Sequence, residues 1–224
     1  MFNVKHPTPG AAALWTSRLS QRCGLEVDDE ALTALDDYAA WLATEAAPAG
    51  AIGPDEVERL WPRHLADSLA YAAGFDHRQG RALDIGSGAG LPGIPLAIVR
   101  PGLEITLLDR SGRRAALLRR VVRILGLPNV RVVEADVDTV RKSYDVVLAR
   151  ASLRPEQAFS PIARLLSADG EAVVGVSRHS PPDAAGLEAA AARHGLRAEM
   201  VTVPAEMLDS PAWLLRMTHR DHHS

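Results

Sequence analysis

The residues with the clearest chemical potential form one short run, Ala82-Leu83-Asp84-Ile85-Gly86-Ser87-Gly88-Ala89-Gly90-Leu91-Pro92-Gly93. An apolar stretch leads into three alternate glycines, Gly86, Gly88 and Gly90, and Pro92 then suits the opening of a helix. Glycines at such a bend let the backbone turn tightly and approach a ligand with no Cβ in the way. What is missing narrows the ligand. A dinucleotide loop needs glycines at 86, 88 and 91, and position 91 is Leu91. A phosphate-binding loop ends in Gly-Lys-Ser/Thr, and no lysine stands between Lys5 and Lys142. Downstream, Asp109 ends the apolar run Ile105-Thr106-Leu107-Leu108, 23 residues beyond Gly86. That separation is close to the one at which an acid meets ribose hydroxyls in nucleotide-binding folds. A carboxylate there accepts two hydrogen bonds from a vicinal diol.

The pattern Asp-x-Gly-x-Gly-x-Gly resembles motif I of class I methyltransferases, whose cofactor S-adenosylmethionine has no phosphate and a cationic methionine end. Asp84 would attract that end and repel a pyrophosphate; an aspartate here can equally cap a turn. In that fold an acid after the third strand lies beside the adenine. Asp136 and Asp138, in Glu134-Ala135-Asp136-Val137-Asp138, are the candidates, and helix capping is the alternative role. The acceptor is handled after the fourth strand, here Tyr144-Asp145-Val146-Val147-Leu148-Ala149-Arg150-Ala151. This run lacks the Asn/Asp-Pro-Pro-Tyr/Phe of adenine amino methylation and the Pro-Cys of covalent cytosine methylation. Guanine N7 already presents a lone pair, so its methylation needs positioning and desolvation more than a general base. The absence of an evident base fits that reaction. Arg150 would clamp a carboxylate or hydrogen-bond a base edge, or else form a structural ion pair.

These residues need a scaffold, and the periodicity supplies one. Up to about residue 75 the chain reads as helices, Thr8–Arg22 and Asp28–Glu45, with Leu32, Leu35, Ala39 and Leu42 on one face and Asp28 and Asp29 as caps. Ala46–Pro54 reads as a loop, and a further helical stretch starts at Pro54 and is interrupted by Pro62. From Arg81 short apolar runs alternate with helix-length segments. Strands are expected at Ala82–Ile85, Ile105–Leu108, Val130–Val133, Tyr144–Ala149 and Ala172–Val176. Helices are expected at Leu91–Val99, Arg113–Leu125, Pro155–Leu166 and Asp183–His194. Such alternation predicts a mostly parallel sheet covered on both faces, an α/β Rossmann-like fold. Ala198–Pro204 and Trp213–Thr218 read as an antiparallel closing pair, giving seven strands. The domain expectation is a helical extension, residues 1–75, packed on a ligand-binding domain, residues 76–224.

The chain has 224 residues and a net charge of −3, which argues against a general nucleic-acid binder. Its charges are uneven: residues 1–70 carry 5 basic and 11 acidic side chains, whereas residues 71–224 carry 20 and 17. Residues 110–131 hold seven arginines and no acid. On a helical wheel Arg113, Arg119, Arg120 and Arg123 fall within roughly 120°, opposite Leu118, Val121, Val122 and Leu125. A one-sided stripe of this kind is expected for phosphate contact, unless the arginines pair with acids from elsewhere. Aromatics are only 4% of the chain, so backbone and shape recognition should dominate over base stacking. There is no apolar run of bilayer length, no secretory leader in Met1–Gly10, and a single cysteine, Cys23, which together predict a cytoplasmic protein. No metal site is expected; His219, His222 and His223 read as a frayed terminus.

From roughly Leu60 to Leu153 the chain resembles the RsmG (GidB) family of small-subunit ribosomal RNA guanine-N7 methyltransferases. The resemblance rests on Arg63-His64-Leu65-Ala66-Asp67-Ser68, on Asp84–Pro95 with its Gly-Leu-Pro-Gly-Ile-Pro continuation, and on Leu107-Leu108-Asp109. Gly112-Arg113-Arg114, Leu118-Arg119 and Ala149-Arg150-Ala151 extend it. It implies S-adenosylmethionine as cofactor, with Gly86, Leu91, Val137, Asp138 and Arg150 in contact and Asp109 on the ribose. It also implies 16S ribosomal RNA, free or in a small-subunit precursor, as partner. Arg63 and His64 are candidates for positioning the acceptor, with helix packing as their other reading. Two segments depart from the family: Ala46–Gly53 replaces the frequent Asn-Leu-Thr, and Gly175-Val176-Ser177-Arg178 replaces the usual Lys-Gly. Both are expected to border the acceptor, so a methyltransferase for a small molecule or a protein is an alternative. A non-catalytic cofactor-binding module is a second one, disfavoured by the intact Asp84, glycines and Asp109.

Overall fold

The computed structural model describes residues 10–178 and 180–220. Three helices come first: α1 (Ala11–Cys23), α2 (Asp29–Trp41) and the short α3 (Ala66–Ala70). Asp28 caps α2 by accepting the Ala31 N–H at 2.8 Å, while Leu35, Tyr38 and Ala39 turn its apolar face into the core. The expected start at Thr8 and the histidines at 222 and 223 lie outside the described residues.

In Ala46–Pro54 the structure differs from the expected loop in detail. The helix runs on through a wide turn, Leu42–Ala46, with Ala47 N–H bonded to Leu42 O, and ends in turns reaching Gly50 at φ 72°. Alanine favours helix, so the segment propagates until a glycine can reverse it. Pro62 does interrupt the next helical stretch. It has no N–H to give, and the backbone widens over Trp61–Leu65 so that Ala66 N–H reaches Trp61 O.

Seven strands form one sheet: β1 (Gly80–Ile85), β2 (Leu103–Asp109), β3 (Val130–Glu134), β4 (Tyr144–Ala149), β5 (Leu166–Ser177), β6 (Leu196–Val203) and β7 (Ala212–His219). Their order is β3-β2-β1-β4-β5-β7-β6, with β1 to β5 parallel and β7 antiparallel to both neighbours. The helices between them are α4 (Gly93–Val99), α5 (Gly112–Ile124), α6 (Pro155–Leu165) and α7 (Ala184–Ala192). α4 begins two residues later than expected, because the glycine turn continues through Pro92 and Ile94 N–H still reaches back to Gly90 O.

One apolar cluster joins α1, α2 and α3 to α4 and to one sheet face, with Leu35, Leu42, Leu65, Leu96 and Leu148 fully enclosed. A second lies beneath α6 and α7, around Leu83, Phe159, Ile162 and Leu215. The N-terminal helices are thus part of the main core. Among the described residues no helix is long and apolar enough to cross a membrane.

Candidate functional site

The direction of winding reverses between β1 and β4, where Ile85 lies beside Ala149. Connections leave in opposite directions from that point, and a crevice opens beyond the strand ends. The glycine loop follows β1 into it. Gly86 and Ser87 N–H groups both donate to Leu108 O, at 2.8 and 3.0 Å, which fastens the loop to β2. Gly86 has φ 69°, and a Cβ there would strike the Ser152 side chain after β4. Gly88, at φ 62°, faces open space; a Cβ on it would meet only Gly86 O, at 3.9 Å. Its N–H donates to Asp109 Oδ2 at 3.0 Å, and Asp109 Oδ1 accepts the Ser111 N–H at 2.9 Å. Asp109 therefore ties the loop to the end of β2 from beside that open face.

Asp84 is fully buried under the loop. Its Oδ2 accepts the Gly93 N–H at 3.1 Å, while Oδ1 has no partner. Burial pushes this carboxyl up to about 7, against the lowering effects of the Gly93 hydrogen bond, of the nearby Ser87 hydroxyl and of Arg150. The side chain caps the turn, the second of the two roles open to it, and it does not stand free in the crevice. Gly93 makes this possible, since a Cβ there would strike both Leu107 and Asp84. The unpartnered oxygen leaves one unused acceptor below the loop.

Arg150, at the end of β4, is held from three directions. It donates to Asp67 Oδ2 at 3.0 Å, to His64 Nδ1 at 3.2 Å and to Arg63 O at 3.3 Å. Asp67 Oδ1 takes a second guanidinium, that of Arg178, at 2.8 Å, and Arg178 continues to Asp209 at 2.9 Å. Burial and the Arg150 charge lower His64 to about 4, so at neutral pH its ring is uncharged. With Nδ1 accepting from Arg150, Nε2 carries the proton; it lies 3.3 Å from Glu56 Oε2, a close approach without an aligned hydrogen bond. Arg63, His64, Asp67, Arg150 and Arg178 line one cavity of about 430 Å³ beyond β4 and β5, next to the glycine loop.

The remaining predicted residues lie on the other flank. Asp136 caps a 3-10 turn, Val137–Thr139, by accepting the Asp138 N–H at 3.0 Å. Arg164 holds that turn from α6, donating to Val137 O at 2.9 Å, with Asp138 3.8 Å away. Leu91 is buried beneath the loop. Arg113, Arg119, Arg120 and Arg123 are all exposed on α5, as the wheel predicts. Three of them have intramolecular partners: Arg113 with Ala49 O at 2.6 Å, Arg119 with Glu134 at 3.6 Å and Arg120 with Glu45 at 2.8 Å. Arg123 has none among the described residues.

Sequence reasoning quoted Asp67 and Arg178 only as members of longer segments, with no role of their own, and did not name Tyr38. Asp67 follows His64 by three residues, a spacing that puts both on one helical face and was a usable signal. Tyr38 carried no such signal. From α2 its buried hydroxyl donates to Ala89 O at 2.9 Å, pinning the glycine loop from above.

The family model described as rRNA small subunit methyltransferase G matches residues 31–207. The chain is 44% identical over 133 residues to ribosomal RNA small subunit methyltransferase G of Acidothermus cellulolyticus, covering 59% of this chain and 60% of that relative. It is 37% identical over 184 residues to the protein of the same name from an Arthrobacter species, covering 80% and 84%. Among solved structures, precorrin-6y C5,15-methyltransferase from Geobacter metallireducens superposes with TM-score 0.53 at 19% identity, over 75% of this chain and 90% of that one. MtNAS in complex with MTA and tNA gives 0.55 at 18%, over 94% and 74%. Likeness at that level shows the α/β Rossmann-like fold alone. The sequence relatives and the family model go further: the chain belongs to the rRNA small subunit methyltransferase G family.

Proposed function

We propose that this chain uses S-adenosylmethionine to methylate N7 of a guanine in 16S ribosomal RNA, free or within a small-subunit precursor, in the cytoplasm. The observation that carries the reading is what stands on either side of the β1–β4 reversal. On one side lies the glycine loop with Asp109 (Gly88 facing open space), on the other the cavity of Arg150 and Arg178. The glycine loop suits the cofactor: Gly88 presents an open backbone face, the buried Asp84 carboxyl lies beneath the loop, and the loop has no lysine for phosphate. In this assignment Gly86, Gly88, Gly90 and Leu91 cradle the cofactor, Asp84 supplies negative charge below it, and Asp109 takes the ribose. Val137 and Asp138 flank the adenine. Arg150, which lines the cavity on the other side of the reversal, reaches the cofactor from there, and residues 1–75 act as a helical extension on the 76–224 transfer domain.

Bound there, the cofactor supplies an electrophilic methyl group on a sulfonium. The chain needs no general base, because N7 attacks with its own lone pair; it must orient the purine and exclude water. Arg63, His64 and Arg150 are positioning residues for that purine. The uncharged His64 fixes Arg150 without adding a second cation to the cavity. On α5, Arg123 and its neighbours Arg113, Arg119 and Arg120 contact RNA phosphates. The ion pairs at Arg119 and Arg120 are half-exposed and worth at most about 1 kcal/mol, so phosphate can replace them.

The test uses purified protein, labelled cofactor and small-subunit RNA from a strain lacking the modification. Label should enter the RNA as N7-methylguanosine, located by aniline cleavage. Tight cofactor binding with no label in RNA would refute the assignment.

A further inference from the structure

The cavity beyond β4 and β5 holds a feature that the cofactor recess does not account for. Strands β5 and β7 pair antiparallel, but their register slips: Gly175 lies opposite Leu214 and Ser177 opposite Trp213, leaving Val176 as an extra residue. Bulges of this kind re-aim side chains beside functional sites. This one is built into the cavity wall, which Gly175, Val176, Ser177, Arg178 and Trp213 share. Arg178 fastens the bulge to the approach of β7, donating to Asp209 Oδ1 and Ser210 Oγ, both at 2.9 Å. The segment where this chain departs from its family's usual Lys-Gly thus holds Trp213 at the cavity.

Trp213 is also singled out by exposure. Tyr38, Trp41, Trp61, Tyr71, Phe75, Tyr144 and Phe159 are all buried. Among the described residues the other partly exposed aromatic is Trp15, on α1, whose ring carries the Arg18 guanidinium at 4.8 Å. Tyr71 reaches the same cavity, but it is 1% exposed and gives its hydroxyl to Ala149 O. Gly175 keeps the wall next to it clear, since a Cβ there would strike the Tyr71 hydroxyl. A base presented for methylation must leave its stack, and proteins commonly replace that stack with an aromatic ring. The cavity, about 430 Å³, is within the range of sites that enclose a small ring system.

We propose that Trp213 is the platform on which the acceptor guanine stacks, making it an acceptor-positioning residue of the transfer reaction. The proposal rests on the methylation reading above. Its test compares wild type with Trp213→Phe and Trp213→Leu, using full-length protein and unmodified small-subunit RNA. Trp213→Leu keeps an apolar side chain without a ring and should lower kcat/KM by about 5- to 150-fold, the worth of stacking one base. Trp213→Phe should stay within about threefold of wild type, since a phenyl ring still stacks. Cofactor affinity, measured by calorimetry, should be unchanged in both. As a readout independent of turnover, RNA added with the demethylated cofactor product should quench tryptophan emission in wild type and not in Trp213→Phe. The platform is overturned if Trp213→Leu methylates like wild type, if Trp213→Phe is as impaired as Trp213→Leu, or if the quench survives Trp213→Phe. Failure of the wild type to methylate RNA would instead bring down the methylation reading itself.

Discussion

Replacing Asp84 with Asn separates what this residue costs the fold from what it contributes to the site. The carboxyl is fully buried, one oxygen accepts the Gly93 N–H, and the other has no partner. Burial raises it from 3.8 to about 7. The unfolded chain therefore releases this proton near pH 4, whereas the folded chain keeps it until about pH 7. A raised folded value means stability that is full below pH 4 and is lost as pH rises through 7, at roughly 1.4 kcal/mol per pH unit. By pH 8 the accumulated loss is about 4 kcal/mol, a large share of a typical domain's stability. Asn has the same shape, keeps an acceptor for Gly93 and never ionises. Asp84→Asn should match wild type near pH 4 and be more stable by up to about 4 kcal/mol at pH 8. Its cofactor affinity should fall, because the negative charge below the loop is gone. Urea unfolding of the cofactor-free protein at pH 4, 6 and 8 reads the first effect, and calorimetry reads the second. His64 acts in the opposite direction, since its lowered value removes stability as pH falls from 6.5 towards 4. Taking the difference between variant and wild type cancels that contribution. An Asp84→Asn protein destabilised equally at all three pH values would refute the reasoning, because the unpaired oxygen would then be carrying a favourable contact.

Two further perturbations test the flanks. Asp109→Ala removes the acceptor of both the Gly88 and the Ser111 N–H groups, so the loop loses its tie to β2. Cofactor affinity should fall at least about tenfold by calorimetry, given roughly 1.5–3 kcal/mol for a hydrogen bond to a charged group. Unchanged affinity would remove Asp109 from the site. Arg123→Ala should reduce the slope of log K against log salt for RNA binding by about 0.7–0.9, the value for one phosphate contact. Arg120→Ala should reduce it by a similar amount, because phosphate displaces the exposed Glu45 pair; slopes unchanged from wild type for both variants in filter-binding titrations would exclude the α5 stripe.

The parts of this molecule legible in the sequence were those set by local chemistry. Strand runs such as Ile105–Leu108 announce themselves by composition, and the glycines at 86, 88 and 90 mark the bend that follows the first of them. Asp109 was recognisable because a strand end and a fixed separation from Gly86 define its place. Asp84 was legible as important but not in its pose: whether it stands in the crevice or caps the turn depends on Gly93, nine residues away, having no side chain. The α5 arginines were correctly placed on one face, yet their partners Glu45, Ala49 and Glu134 come from distant segments that no helical wheel includes. The Val176 bulge was illegible for the same reason, since a register slip is a property of two strands and not of one.

The N-terminal helices show why fold likeness stops short of function. A seven-stranded methyltransferase-like sheet serves many acceptors, and specificity resides in what is built around the strand ends. Here three of those additions come from the first 75 residues. Tyr38 holds the glycine loop through Ala89 O, Asp67 joins Arg150 to Arg178, and Glu45 engages Arg120 on α5. The first two act on opposite sides of the β1–β4 reversal, one on the glycine loop and one on the Arg150 cavity. A single rigid body, the core shared by α1, α2 and α3 with the sheet, therefore fixes the distance between them. In-line methyl transfer is sensitive to displacements of about 1 Å, so that shared packing is a functional constraint as much as a source of stability.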